Sequence, residues 1–167
     1  MQSRAEQLGQ RIERGAEDLI EVARQLSDGQ WRLPVDGEHR SIGVLVHHVG
    51  AMYPPEIDAV SMLVAKGGMP DLDWAVVNRL NADHAISIAD DVDRVAAIRL
   101  VRENSREAAT YVRNLTNDQL DLVAPTGLHW NAPLTVQYFI EYHPVAHPYT
   151  HLQSIRKVLA GQSSNCR

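Results

Sequence analysis

The sequence predicts an all-α protein built as an antiparallel four-helix bundle. Apolar residues recur with the 3.6-residue period of a helix over four long segments, and no strand-like alternation extends beyond two or three residues. Ala, Leu, Arg and Glu are frequent while Phe occurs once, which also favours helix over sheet. At 167 residues the chain suits one bundle domain, which we place at residues 1–162, with a C-terminal tail at 163–167.

The N-terminal segment predicts a long amphipathic helix. Ser3 is expected to cap it, because a serine hydroxyl can accept a bond from an unpaired first-turn N–H. The apolar stripe continues to about Leu26, and Asp28-Gly29 should end the helix. A loop is predicted over residues 31–40, with Trp31 anchored on the core.

The second helical arm should begin at residue 42 with Ser41 as its N-cap. Pro54-Pro55 is expected to kink or divide this arm, because proline has no N–H for the helical hydrogen-bond ladder. The apolar pattern resumes beyond the prolines and stops at Gly67-Gly68. The arm is therefore one kinked helix or two short ones.

The second half of the chain predicts a short helix over residues 75–84 and two long helices. Asp90-Asp91 should open the third long helix, where acidic residues suit the positive end of the helix dipole. Thr116-Asn117-Asp118-Gln119 matches a capping box and indicates a short turn. The last helix should run from about residue 134 to residue 159, with Gly161 following it as the C′ residue.

Charge and composition restrict the partners that we expect. The formal charge of −5 and the pI near 5.9 argue against nucleic acid or an anionic membrane, since both attract basic surfaces. No run approaches the ~20 apolar residues of a membrane span, and the first residues contain no apolar signal core. A single cysteine, Cys166, allows no disulfide within the chain. We expect a cytoplasmic protein that binds a small molecule or another protein.

Three histidines near the C-terminus indicate a metal site. His143, His147 and His151 recur at a spacing of four, which places them on one face of a helix. A pair of imidazoles at i and i+4 can hold one transition metal, as in the zinc-protease helix motif. The catalytic Glu of that motif is missing, because Pro144 follows His143 and Pro148 follows His147.

A third ligand should come from the doublet His47-His48 on the second helix, since bundle metal sites take ligands from facing helices. The predicted set is His48, His147 and His151. Three neutral imidazoles suit zinc, nickel, iron or copper, and they leave coordination positions open for water or substrate. An open position is typical of catalytic sites. The alternative is a set of partly exposed helix histidines with no ligand role.

In their order and spacing, several segments resemble the DinB-like (damage-inducible) superfamily of four-helix-bundle metalloproteins. The segments that resemble it are Arg40-Ser41-Ile42-Gly43-Val44-Leu45-Val46-His47-His48-Val49, Leu115-Thr116-Asn117-Asp118-Gln119-Leu120, Leu134-Thr135-Val136-Gln137-Tyr138 and the stretch from His147 to Arg156. In the family, a Ser-Ile-Gly-like helix start precedes one ligand histidine, matched by His48. A His-x-x-x-His pair on the last helix is matched by His147 and His151.

The resemblance implies a divalent metal, with zinc or nickel expected first, and a small-molecule substrate. Several relatives in that superfamily are transferases or isomerases that use a low-molecular-weight thiol such as bacillithiol, mycothiol or glutathione. Others are considered hydrolases, and homodimers are common. This chain departs from the family in reading His151-Leu152-Gln153-Ser154 where His-x-Gly-Gln is frequent, and in carrying Pro144 and Pro148 within the last helix.

Three further residues are candidates for substrate binding. His143 would be a fourth ligand or, as we expect, a wall of the pocket, and Asn81 would lie at the pocket mouth. Arg156 resembles a basic residue at the end of the family's last helix and would meet a substrate carboxylate, or else lie at the surface. Glu141 is a candidate base or hydrogen-bond acceptor for a ligand histidine. No catalytic residue is assigned.

Three hypotheses for the function follow. In the first, the three-histidine site activates a low-molecular-weight thiol or water for attack on an electrophilic small molecule, which makes the protein a thiol S-transferase or a hydrolase. In the second, the bundle is non-catalytic and binds a small molecule or a protein partner, because the prolines disturb the metal helix. In the third, the metal is purely structural.

Overall fold

The computed structural model describes residues 2–38, 40–88 and 92–164 and is mostly helical, with one two-stranded hairpin. The prediction of an all-α protein is confirmed at the level of fold class. The predicted helix start at Asp90-Asp91 and the tail residue Cys166 lie outside the described residues. Across the part of the chain that is described, no helix combines the length and the apolarity that crossing a bilayer requires.

The long helices alternate with short connecting elements. The helices are α1 (Arg4–Gln25), α2 (Asp28–Trp31), α3 (Ile42–Lys66), α4 (Trp74–Ser87), α5 (Arg94–Arg113), α6 (Asn117–Asp121), α7 (Val136–Ile140) and α8 (Ala146–Ser164). Strands β1 (Pro34–Val35) and β2 (Arg40–Ser41) pair antiparallel, a 3-10 turn spans Gly127–His129, and a π-helical turn at Glu141–Val145 joins α7 to α8.

Side-chain caps set the helix starts where the sequence predicts them. Ser3 accepts a bond from the N–H of Glu6 at 3.1 Å, and Ser41 accepts one from the N–H of Val44 at 3.3 Å. Thr116 forms the predicted capping box at the start of α6. Gly67 ends α3 in the left-handed conformation, with φ 75°, which favours glycine.

Several local predictions were wrong. Asp28-Gly29 does not stop a helix; it begins α2, which Ser27 caps through its own capping box. The predicted loop at 31–40 contains the strands β1 and β2. Gly161 is not a C′ residue, because α8 continues through it to Ser164.

The helices enclose one apolar core. Helix α1 packs along α5, α5 packs along α3, and the segment formed by α7, the π-helical turn and α8 contacts both α1 and α3. Trp31 is 5% exposed, and its indole N–H donates to the Val92 carbonyl at 2.9 Å, so it anchors the start of the hairpin region on the core as expected. Contacts between β1 and α8 bring the hairpin against the last helix.

Helix α3 is continuous through Pro54 and Pro55. Pro54 has no N–H to donate to the carbonyl of Gly50 four residues earlier. The side-chain amide of Asn104 on α5 donates to that carbonyl instead, at 2.8 Å. A neighbouring helix thus supplies the hydrogen bond that the proline removes, and α3 continues without a break after His48.

The π-helical turn accommodates the prolines of the last helix. Its wider ring of hydrogen bonds is visible where the N–H of Ala146 donates to the carbonyl of Glu141, five residues earlier. Pro144 lies inside this turn, and Pro148 is the third residue of α8, within a first turn whose N–H groups lack partners in that helix. The prolines therefore change the helix locally without ending it.

We expect Asn104→Ala to lower the free energy of unfolding by about 1–2 kcal/mol, because the Gly50 carbonyl then has no donor. The cost should be smaller in a Pro54→Ala background, where residue 54 regains the N–H that bonds this carbonyl. Urea unfolding of the four proteins of this cycle measures the difference. Asn114→Ala, which removes a bond to the Thr110 carbonyl, is the control. Equal costs for Asn104→Ala in both backgrounds would contradict the explanation.

Candidate metal centre

Three histidines from two helices meet between α3 and α8. One ring nitrogen from each of His48, His147 and His151 lies within 4.8 Å of the other two. The ring centroids are 5.1 Å apart for His48 and His147, 5.3 Å for His48 and His151, and 4.8 Å for His147 and His151. The structure therefore brings together the three residues that the sequence predicts as ligands. His48 is 2% exposed, and His151 is buried as well.

A carboxylate lies beside the Nδ1 atom of each histidine from α8. Nδ1 of His147 is 2.9 Å from Oε1 of Glu56, and Nδ1 of His151 is 3.1 Å from Oε1 of Glu38, the second contact being close but not aligned as a hydrogen bond. A carboxylate that accepts from Nδ1 orients the ring and leaves Nε2 free, which is the usual arrangement behind metal-binding histidines. Both rings are thus placed to offer Nε2 to an ion.

Burial favours the neutral form of the His48 and His151 imidazoles. Desolvation is the largest cause that holds the pKa of His48 well below its usual range, and the neighbouring His147 and the Arg40 guanidinium lower it further. Burial also lowers the pKa of His151, although Glu38 opposes that shift. The His151 ring and Arg40 together lower the pKa of Glu38 to about 2, so this carboxylate is ionised at neutral pH. Neutral imidazoles are the form that binds a metal.

The arrangement fits a transition metal. Ligand nitrogens 2.0–2.1 Å from a tetrahedral ion are about 3.3 Å apart, so the widest pair has to close by no more than about 1.5 Å. Nδ1 of His48 is buried and has no hydrogen-bond partner within the described chain. A buried, unpaired ring nitrogen costs about 1–3 kcal/mol, which a bound ion or its water would offset.

Two more histidines adjoin the group. Nδ1 of His47 and Nε2 of His84 are 3.0 Å apart, and the His84 ring centroid lies 5.2 Å from that of His48. Helix α4 carries His84 against the cluster although none of its residues is fully buried, so this placement depends on tertiary packing and not on any periodicity of α4.

His143 does not join the ligand group. Its ring packs against Phe139 at 4.2 Å and His129 at 5.8 Å between ring centroids, and burial lowers its pKa to about 3. His143 lies within the π-helical turn, whereas His147 and His151 lie on α8. The group of converging ring nitrogens does not include His143, which we expected as a pocket wall more than as a fourth ligand.

The other predicted site residues, Asn81, Arg156 and Glu141, lie outside the group of three histidines. Asn81 is half-buried on α4, one turn before His84, and Arg156 is exposed on α8. Their substrate roles stay predictions. Glu141 does not accept from a ligand histidine; it pairs with Arg11 at 2.8 Å.

Sequence reasoning missed Glu56, Glu38 and Arg40. Glu56 was recoverable, because it lies eight residues after His48 and two helical turns bring both onto one face. Glu38 and Arg40 belong to the hairpin, which reaches α8 by folding back over a separation of more than 100 residues. No spacing rule relates them to His151.

A surface depression of about 420 Å³ lies between α1 and the last helix, and its lining includes Arg11, Glu141 and Tyr149. None of the five clustered histidines lines it. It is therefore distinct from the histidine group.

We expect Glu56→Gln to weaken Zn²⁺ binding about 10- to 100-fold without unfolding the protein, because His147 loses the carboxylate that orients its ring. Chelator competition measures the dissociation constant. Glu141→Gln is the matched control, since that carboxylate pairs with Arg11, and it should leave the affinity unchanged. A larger effect from Glu141→Gln than from Glu56→Gln would contradict the assignment.

Comparison of the chain with protein-family models, with curated proteins and with solved structures finds no match in any of the three.

Proposed function

We propose that this protein is a metal-dependent enzyme that uses His48, His147 and His151 to hold a divalent transition metal. Zinc and nickel are the metals that we expect first. The observation that carries the proposal is the convergence of these three ring nitrogens within 4.8 Å of one another, with carboxylates beside two of the rings. Imidazole donors suit these metals, and three protein ligands leave at least one position open.

The finer fold that we propose is an antiparallel four-helix bundle of the DinB-like type. Its support is the packing of α1 along α5, of α5 along α3, and of the α7–α8 segment against α1 and α3. The sequence resemblance at residues 40–49 and 147–156 supports the same assignment. Pro144 and Pro148, which set this chain apart from the family, lie in the π-helical turn and in the first turn of α8, so neither ends the helix.

The chain's own residues prepare the site for chemistry at neutral pH. Glu56 and Glu38 lie beside Nδ1 of His147 and His151, and the burial of His48 keeps its ring neutral. A divalent ion in this site supplies Lewis acidity that lowers the pKa of a water or of a low-molecular-weight thiol. The nucleophile so produced would attack an electrophilic small molecule, which defines a thiol S-transferase or a hydrolase.

The other expectations belong to the same proposal. We propose His143 as a wall of the substrate pocket, Asn81 at its mouth, a homodimer as the assembly and the cytoplasm as the location. The charge of −5 supports a small-molecule substrate over nucleic acid or an anionic membrane. A non-catalytic binding bundle is the alternative, and it would apply if the protein bound metal without accelerating any thiol transfer or hydrolysis.

Elemental analysis of the purified protein tests the site. We expect about one zinc or nickel per chain in the parent protein and its loss in both His48→Ala and His151→Ala. His129→Ala is the control histidine, because its ring lies with Tyr138 and Tyr142 and outside the ligand group. A parent protein without metal after exchange with excess divalent ions would disprove the proposal, as would retention of the metal in both ligand variants.

Experiments on cobalt-substituted protein distinguish thiol transfer from hydrolysis. In the transferase version, adding glutathione should produce a thiolate-to-cobalt absorption band, since a thiol replaces water at the open position. In the hydrolase version, glutathione should leave the spectrum unchanged while the parent protein cleaves an activated ester faster than His48→Ala does. If neither the band nor the cleavage is observed, a binding or structural role replaces the enzyme proposal.

A further inference from the structure

Arg40 is a buried cation that is only partly paired. Its side chain is 11% exposed, and Nη2 donates to Oε2 of Glu38 at 2.6 Å. Nη1 is buried and has no hydrogen-bond partner within the described chain. A guanidinium is always charged and carries its donors in a rigid fork, so a buried Nη1 without an acceptor is costly. The fork thus keeps Nη1 free for a group that the described residues do not provide.

This guanidinium belongs to the surroundings of the histidine cluster. Glu38 connects the two, because one of its oxygens binds Arg40 and the other lies 3.1 Å from Nδ1 of His151. The positive charge of Arg40 also lowers the pKa values of His48 and His84, although burial is the larger cause for both. Arg40 is therefore linked to the cluster through the Glu38 carboxylate that contacts His151.

The charges around the cluster indicate what the free donors can bind. Among the described residues, Glu38 and Glu56 supply two carboxylates to this network and Arg40 supplies a guanidinium, and the imidazoles are counted as neutral because that is the form that binds a metal. These groups carry one net negative charge, which becomes one net positive charge when a divalent ion is held. A singly charged anion balances that charge, whereas a dianion would exceed it.

We propose that Arg40 and the three-histidine centre together form a binding site for one carboxylate of a small-molecule substrate. The proposal rests on the proposed function, because the site attracts an anion only when the divalent ion is bound. Nη1 of Arg40 donates to the carboxylate, and Glu38 holds the guanidinium in place through Nη2. Arg40, and not the exposed Arg156 that the sequence suggests, is then the residue that selects acidic substrates.

Acetate is the probe for this site. Cobalt-loaded protein is titrated with acetate, and the change in the visible cobalt spectrum gives the dissociation constant. Metal content is measured for each protein in parallel. Arg40→Gln should bind acetate about tenfold or more weakly, since a charge-assisted hydrogen bond is lost, and Arg40→Lys should fall between this variant and the parent protein. Arg106→Gln, which removes an exposed arginine from α5, should match the parent protein.

The outcomes separate this proposal from the function on which it rests. A parent protein without metal overturns both. Full metal content together with equal acetate affinities in the parent protein, Arg40→Gln and Arg40→Lys overturns the role of Arg40 and leaves the metal site standing. A loss of acetate binding in Arg156→Gln, without one in Arg40→Gln, would do the same. If Arg40→Gln does not fold or loses the metal, Arg40→Lys carries the comparison, and parent-like acetate binding in that variant overturns the proposal.

Discussion

The burial of three imidazoles at one point between α3 and α8 is the constraint on which the rest of the site depends. Ring nitrogens that leave water need partners, because a buried donor or acceptor without one costs about 1–3 kcal/mol. Glu56 and Glu38 lie beside two of these nitrogens, and Nδ1 of His48 has no partner in the described chain. A core that served stability alone would place apolar side chains here. The cluster is therefore a group that could hold a metal ion.

The last helix carries two prolines beside the candidate ligands, and His147 and His151 still converge with His48. A regular helix would lose hydrogen bonds at Pro144 and Pro148, at a cost of about 3 kcal/mol for a proline in the interior. The π-helical turn places Pro144 where its missing N–H is tolerated, and α8 restarts so that Pro148 falls in a first turn. As a result His147 and His151 stay one regular turn apart while His143 moves to a different environment.

The hairpin and α3 contribute to the cluster in different ways. Helix α3 provides both His48 and Glu56, so one rigid element fixes a ligand and a supporting carboxylate. The hairpin brings Glu38 and Arg40 to α8 as a pair, and the guanidinium adds positive charge that a purely structural acceptor would not need. Glu38 contacts both His151 and Arg40, so one carboxylate links a candidate ligand to the guanidinium that we propose as an anion-binding group.

The sequence by itself determined the helical class, the caps at Ser3, Ser41 and Thr116, and the three ligand candidates. These features follow from short-range rules, namely the period of the helix and the hydrogen bonding of residues within one turn. Only the tertiary structure decided the positions of Glu38, Arg40 and His84 and the packing of His143 against His129. Those placements come from contacts between elements that are distant in the sequence, and such contacts leave no periodic signal in the chain.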